Sequence, residues 1–273
     1  MATLHAAIAA PGSRRRTDWL GRSAVFCYLA IAAGQLLFVA FILGFYYPST
    51  LTGDFAAWNT KPLIKGFVAG DVSGNLFFAV HVVMAAVLTF GGLVQLVPAI
   101  RAGAPVLHRW NGRLYVFSAI LLATGGLWMT WVRGTWLNVT GAFGITLNAA
   151  LILGFAGLAW RGAVRRRYTD HRRWAIRLFA VASAVWFMRV AYMAWGMATD
   201  GAGIGENMDG MFDLFLAFGN SLVPLAIAEV YLRAGERQSQ AIRQTAAILL
   251  SFSAIVILAG SAGAWMMMWS RYL

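Results

Sequence analysis

The stretch HRRWAIRLFAVASAVWFMRVAYMAWGM, residues 171–197, decides the fold. Its first seven residues include His171, Arg172, Arg173, Trp174 and Arg177, and the twenty that follow are apolar or weakly polar apart from Arg189. A helix needs roughly 20 such residues to cross a bilayer. A charged side chain inside the span costs about 2.5–3.5 kcal/mol on insertion scales, so Arg189 needs a physical reason to be there.

Working outward, six further apolar windows join the one at residues 175–197: 24–47, 74–100, 114–132, 139–160, 211–232 and 245–269. With 60% hydrophobic and 12% charged residues in 273, the chain lies far from soluble proteins, which carry about 25% charged residues. The expected fold is all-α, a polytopic membrane bundle of seven transmembrane helices. Residues 1–23 read as a cytoplasmic N-terminal tail and 24–273 as a single transmembrane domain.

The net charge of +12 does not indicate nucleic acid, because the cations alternate by loop. Arg14, Arg15, Arg16 and Arg22 precede the first window, and Arg101, Arg109 and Arg113 follow the second. Arg161, Arg165, Arg166, Arg167, Arg172, Arg173 and Arg177 follow the fourth, and Arg233, Arg237 and Arg243 the sixth. The opposite loops hold Lys61, Lys65, Arg133 and Arg271 with Asp200, Glu206 and Asp209. The positive-inside rule then places the N-terminus in the cytoplasm, the C-terminus outside and anionic headgroups against the basic loops. The first window continues through Tyr47, too long for a signal peptide, and reads as an uncleaved anchor. Cys27 is the single cysteine, so packing must stabilise the bundle, aided by Gly91, Gly92, Gly125, Gly126 and the AGSAG that starts at Ala259.

The opening stretch has a partner, HRWNGRLYV from His108, and a fainter third copy, TDWLGRSAVF at residues 17–26. All three share Trp, two residues, then Arg: Trp19 with Arg22, Trp110 with Arg113, Trp174 with Arg177. Uneven spacing suggests a weak helical-hairpin repeat, although any inward helix end collects Trp and Arg. Together with His81 and GGLVQLVPAIR at residues 91–101, these motifs resemble a family of bacterial multi-pass membrane proteins known as domain of unknown function 2306. The resemblance covers about residues 75–232; Ala175 replaces a bulkier residue. It implies a shared helical scaffold in the bacterial cytoplasmic membrane, a layout like that of membrane b-type cytochromes, and no assigned activity.

Polar residues inside the windows define the expected site. Arg189 lies about 12 Å and His81 about 10 Å below the outer surface, with Asn148, Asn220 and Gln35 at about 14–18 Å. On helical spacing, His81, Ala85, Leu88, Gly92 and Gln95 share one stripe, a cavity wall or a tight contact. Trp186, Arg189, Met193 and Met197 share another, and Asp213, Ala217, Asn220 and Pro224 a third. The expectation is a polar pocket in the outer half of the bilayer, lined by Gln35, Asn148, Asn220, Trp186 and Asp213. The alternative is that Arg189 reaches outward to Asp213 as an interhelical tie. Glu229, four residues before Arg233, reads as an intrahelical ion pair.

Retinal is excluded, since its Schiff base needs a buried lysine and both lysines fall in one outer loop. Haem b needs histidine ligands at equal depth with arginines for its propionates, so His81, Arg189, His108 and His171 are the candidate cofactor ligands. His108 and His171 share a depth but sit in arginine-rich turns at the membrane surface, where lipid-facing imidazoles are the plainer reading. Eight methionines near the outer face, Met129, Met193, Met197, Met208, Met211, Met266, Met267 and Met268, could suit Cu(I), but lack a recurring spacing. Two functions stand: binding haem b or a quinone for electron transfer, or non-redox transport or binding of a lipid or amphipathic anion.

Overall fold

The computed structural model describes residues 18–60, 66–136, 138–236 and 239–273. Arg14, Arg15, Arg16, Lys61, Lys65 and Arg237, part of the charge alternation, lie outside the described residues. All regular structure among the described residues is helical: α1 (Trp19–Thr52), a 3-10 turn (Phe55–Thr60), α2 (Val72–Leu96), α3 (Pro98–Gly103), α4 (Pro105–Trp131), α5 (Val139–Val164), α6 (Tyr168–Ala182), α7 (Ala184–Thr199), α8 (Met211–Glu236), and α9 (Gln240–Ala264), which runs on into a π turn (Trp265–Trp269). Six helices are each long and apolar enough to cross a membrane. Together α6 and α7, bent by 51°, make a seventh, broken span.

Helix starts share a device. Asp18, Asp71 and Asn138 cap α1, α2 and α5, each accepting from the N–H of a glycine three residues on, Gly21, Gly74 and Gly141, at 3.1, 2.8 and 2.7 Å. Such a cap contributes about 1 kcal/mol. The first cap starts α1 at Trp19, so residues 19–23, read as the end of the N-terminal tail, are helical and continuous with the first window. The basic motifs are helical too, since HRWNGR lies in the first turns of α4 and HRRWAIR in α6. At an interface the backbone bonds to itself while guanidiniums reach water, so charge does not end the helix. In both copies the arginine stacks on its own tryptophan, Arg113 at 4.6 Å from the Trp110 ring and Arg177 at 4.5 Å from that of Trp174.

The end from which α1, α4, α6 and α9 start is called the basic end, and the other the acidic end. Small residues set the closest approaches. A Cβ on Gly260 of α9 would meet the Val190 carbonyl of α7 at 2.3 Å, and one on Gly144 of α5 the Ala217 carbonyl of α8 at 2.2 Å. The α2 stripe is a tight contact over most of its length: Gly92 packs on Tyr115 and Phe179, and Gln95 donates to the His108 carbonyl at 3.0 Å.

The break in the α6–α7 span falls at Ser183, with no proline or glycine there. Side chains from neighbouring helices hold it instead, a recognised cause of sharp kinks. Asn148 Nδ2 donates to the Val181 carbonyl at 2.8 Å, and Gln35 Nε2 to the Ser183 hydroxyl at 3.0 Å. Below the break Glu229 accepts a two-pronged ion pair from Arg177 of α6, one contact at 3.0 Å. That corrects the intrahelical Glu229–Arg233 pair expected from spacing: a planar guanidinium on the facing helix matches a carboxylate in two places at once.

Candidate functional site

Arg189 lies ten residues before the end of α7, about 15 Å into the bilayer from the acidic end, and His81 nine residues into α2, about 14 Å from the same end. The α7 side chain turns away from that end: Arg189 Nη1 donates to the Val185 carbonyl at 2.9 Å, one turn deeper, and the guanidinium lies 5.3 Å from the Phe38 ring of α1. It is close enough to act electrostatically on both His81 and Tyr46. His81 Nδ1 is buried with no hydrogen-bond partner among the described residues and faces α4, where a Cβ on Gly125 would lie 4.0 Å away. By residue count Arg189 and His81 thus lie at a similar depth from the acidic end.

Arg189 does not reach Asp213. The carboxylate of Asp213 accepts from the Tyr192 hydroxyl at 2.7 Å and from the Gly205 and Gly210 N–H groups at 2.7 and 2.9 Å, pinning the loop between α7 and α8. No carboxylate among the described residues forms an ion pair with Arg189, whereas Arg133, Arg173, Arg177 and Arg243 each have one.

The other expected lining residues make contacts of their own. Gln35 and Asn148 hold the helix break; Asn148 also donates to the Ser221 hydroxyl, which donates to Asn220 Oδ1, both at 2.8 Å. Trp186 is buried against Gly34 of α1 beside Ser261; its Nε1, Gln35 Oε1 and Ser261 Oγ have no hydrogen-bond partner among the described residues. The expected layer is therefore a mid-membrane clamp on the broken helix, with Arg189 and His81 above it. His108 and His171 lie near the basic end, apart from that layer, and both are partly exposed: His108 Nδ1 is buried, and His171 Nδ1 sits 2.9 Å from the Ala159 carbonyl. A carbonyl only accepts, so Nδ1 of His171 carries the proton. Of the methionines, Met129 is buried, Met193 and Met197 both lie against Gly263, and Met211, Met266 and Met267 are exposed.

Sequence reasoning missed Ser183, because a serine inside an apolar run carries no break signal. It also missed the Arg177–Glu229 pair, which spacing along one helix cannot reveal. The recurring Asx-x-x-Gly at three helix starts was visible and unused.

Against known protein families, residues 78–232 match the one described as Predicted membrane protein (DUF2306). The chain belongs to that family. The match runs from the turn before His81 to the end of the α8 core, so it takes in His81, Arg189, both His-Arg motifs and the broken helix. No curated protein and no solved structure matches the chain. As a DUF2306 member it is a multi-pass membrane protein.

Proposed function

We propose that this DUF2306 protein binds the anionic head of an amphipathic molecule between Arg189 and His81, in the acidic half of the bilayer. The observation that carries the reading is Arg189, a cation turned into the membrane with no ion-pair carboxylate among the described residues. An uncompensated cation there is costly, and a ligand anion removes the cost. Arg189 is the charge partner, His81 the hydrogen-bonding group beside it, and the Phe38 ring an apolar wall for the ligand's body. The run of arginines at the basic end supports an orientation with that end in the cytoplasm of a bacterial cell.

Haem b fits these residues poorly: among the described residues His81 has no second histidine at its depth, since His108 and His171 lie toward the opposite end. A quinone needs only donors to its oxygens, and the redox reading rests on that alternative. Organic extraction of the purified protein followed by mass spectrometry separates the two. An anionic amphiphile present in wild type and depleted at least tenfold in Arg189→Met supports the proposal. A stoichiometric quinone instead would turn the reading to electron transfer, and a Soret band lost in His81→Ala would restore haem.

A further inference from the structure

We propose that the cleft between α5 and α6 at the basic end is a binding site for the phosphate of an anionic phospholipid. The cleft, about 110 Å³, is lined by Arg161, Arg165, Arg167, Asp170 and Trp174. Local geometry creates it. Gly162 lets the helices meet backbone to backbone, a Cβ there lying 2.9 Å from His171 Cα, so no side chain fills the gap. The turn closes through Arg166 in a left-handed conformation (φ 56°), with the Arg167 N–H on the Gly162 carbonyl at 2.9 Å. Arg165 and Arg167 are thereby brought to the same cleft as Arg161.

Charge accounting at this end is what points to a ligand. Glu229 pairs with Arg177, Glu236 with Arg173, and Asp18 with Arg243. Arg161, Arg165 and Arg167 take part in no ion pair among the described residues, and Asp170 is the single carboxylate in their cleft. Three guanidiniums against one carboxylate leave the cleft cationic. Guanidinium groups bind phosphate through paired N–H donors.

The neighbours select a lipid over a free anion. Trp160, Val164 and Tyr168, beside the cleft on α5 and α6, are large, apolar or aromatic, and exposed. Aromatic side chains at a helix end mark the headgroup level, so a phosphate in the cleft leaves acyl chains to run along this exposed surface.

The test uses the full chain in nanodiscs of phosphatidylcholine with a minor fraction of phosphatidylglycerol, with retained lipid counted by native mass spectrometry. Wild type should hold one phosphatidylglycerol tightly. Replacing Arg161, Arg165 and Arg167 together by Ala should weaken retention on the order of a hundredfold, at about fivefold per arginine near a membrane surface. A control that removes Arg22, Arg101 and Arg109 takes the same charge from the same end and should retain the lipid. Equal loss in both overturns the site in favour of diffuse attraction. Millimolar inorganic phosphate should leave the lipid in place, and displacement by it would overturn the lipid assignment. If the triple variant does not fold, Asp170→Asn puts the question with opposite sign. Removing the competing carboxylate should tighten retention about fivefold, and unchanged or weaker retention overturns the proposal.

Discussion

Two arginines of the broken span, one on each side of the break, are treated by the bundle in opposite ways. Arg177, in α6, has a two-pronged carboxylate partner and a tryptophan ring to lie on. Arg189, twelve positions further along and across the break, has a backbone carbonyl and a phenyl ring. The first arrangement is complete within the protein and serves to join α6 to α8. The second is short of a negative charge. Cost alone therefore does not mark an intramembrane arginine as functional; the mark is a cost that the fold leaves uncompensated.

The strongest way to break this contrast is to remove Glu229. Glu229→Gln leaves Arg177 without its anion in a site where the arginine side chain is 11% exposed. Removing one partner of a fully buried pair costs about 3–5 kcal/mol; Glu229 is itself partly exposed, so about 2–3 kcal/mol is expected. Thermal unfolding in detergent should show the loss, and the double variant Arg177→Met, Glu229→Gln should recover at least half of it. No loss would mean that Arg177 is as uncompensated as Arg189 and that the two do not differ.

Crossing the break reverses the sign. Arg177→Met should destabilise the ligand-free protein by about 1–3 kcal/mol, since it strands a carboxylate, whereas Arg189→Met removes an unpaired cation and should be neutral or stabilising. Measured on delipidated protein, similar losses for both would sink the reading of Arg189 as a charge awaiting a ligand. Packing gives a milder test of the same region. Gly260→Val forces a side chain against the Val190 carbonyl one residue from Arg189 and should cost about 1–3 kcal/mol. At Gly235, where an added Cβ meets nothing within 4 Å, Ala should be harmless. Equal effects at the two glycines would show that α7 and α9 are not held at the observed distance.

The spans were legible in the sequence because a bilayer imposes length and hydropathy so strongly that the seven windows fall on six long helices and one broken pair. Arg189 and His81 were legible as polar groups at one depth because depth follows from counting at 1.5 Å per residue. What depth cannot give is rotation and partner choice. Gln35, Asn148 and Asn220 fall in the right layer, yet Gln35 and Asn148 turn toward the Ser183 break, which has no sequence signal of its own. Glu229 had an arginine at helical spacing and another across an interface, and tertiary geometry chose the second. His108 and His171 read as surface imidazoles because Arg-rich turns suggest solvent; both are partly exposed, and what the sequence does not give is that glycine at position 162 brings the His171 backbone onto α5 and the ring under the Ala159 carbonyl.

The smallest expected effect lies at the acidic end, where Arg133 completes a third kind of arrangement. Its Nε donates to Asp71 at 2.8 Å and its Nη2 to Asn75 Oδ1 at 2.9 Å and the Gly66 carbonyl at 3.2 Å, tying the segment before α2 to the end of α4. The Gly74 N–H and the Arg133 guanidinium hold the Asp71 carboxyl below the ordinary carboxylate range. A carboxyl whose pKa is lower folded than unfolded stabilises the folded state above the unfolded value and loses that contribution as pH falls through the folded one. Stability should therefore be flat above about pH 5 and fall from about pH 4 downward, where unfolded aspartates start to bind protons. Asp71→Asn should remove that acid slope while lowering stability slightly at pH 7, both read from melting temperature against pH. An unchanged slope would assign it to other carboxylates and leave Arg133, like Arg189, anchored by carbonyls.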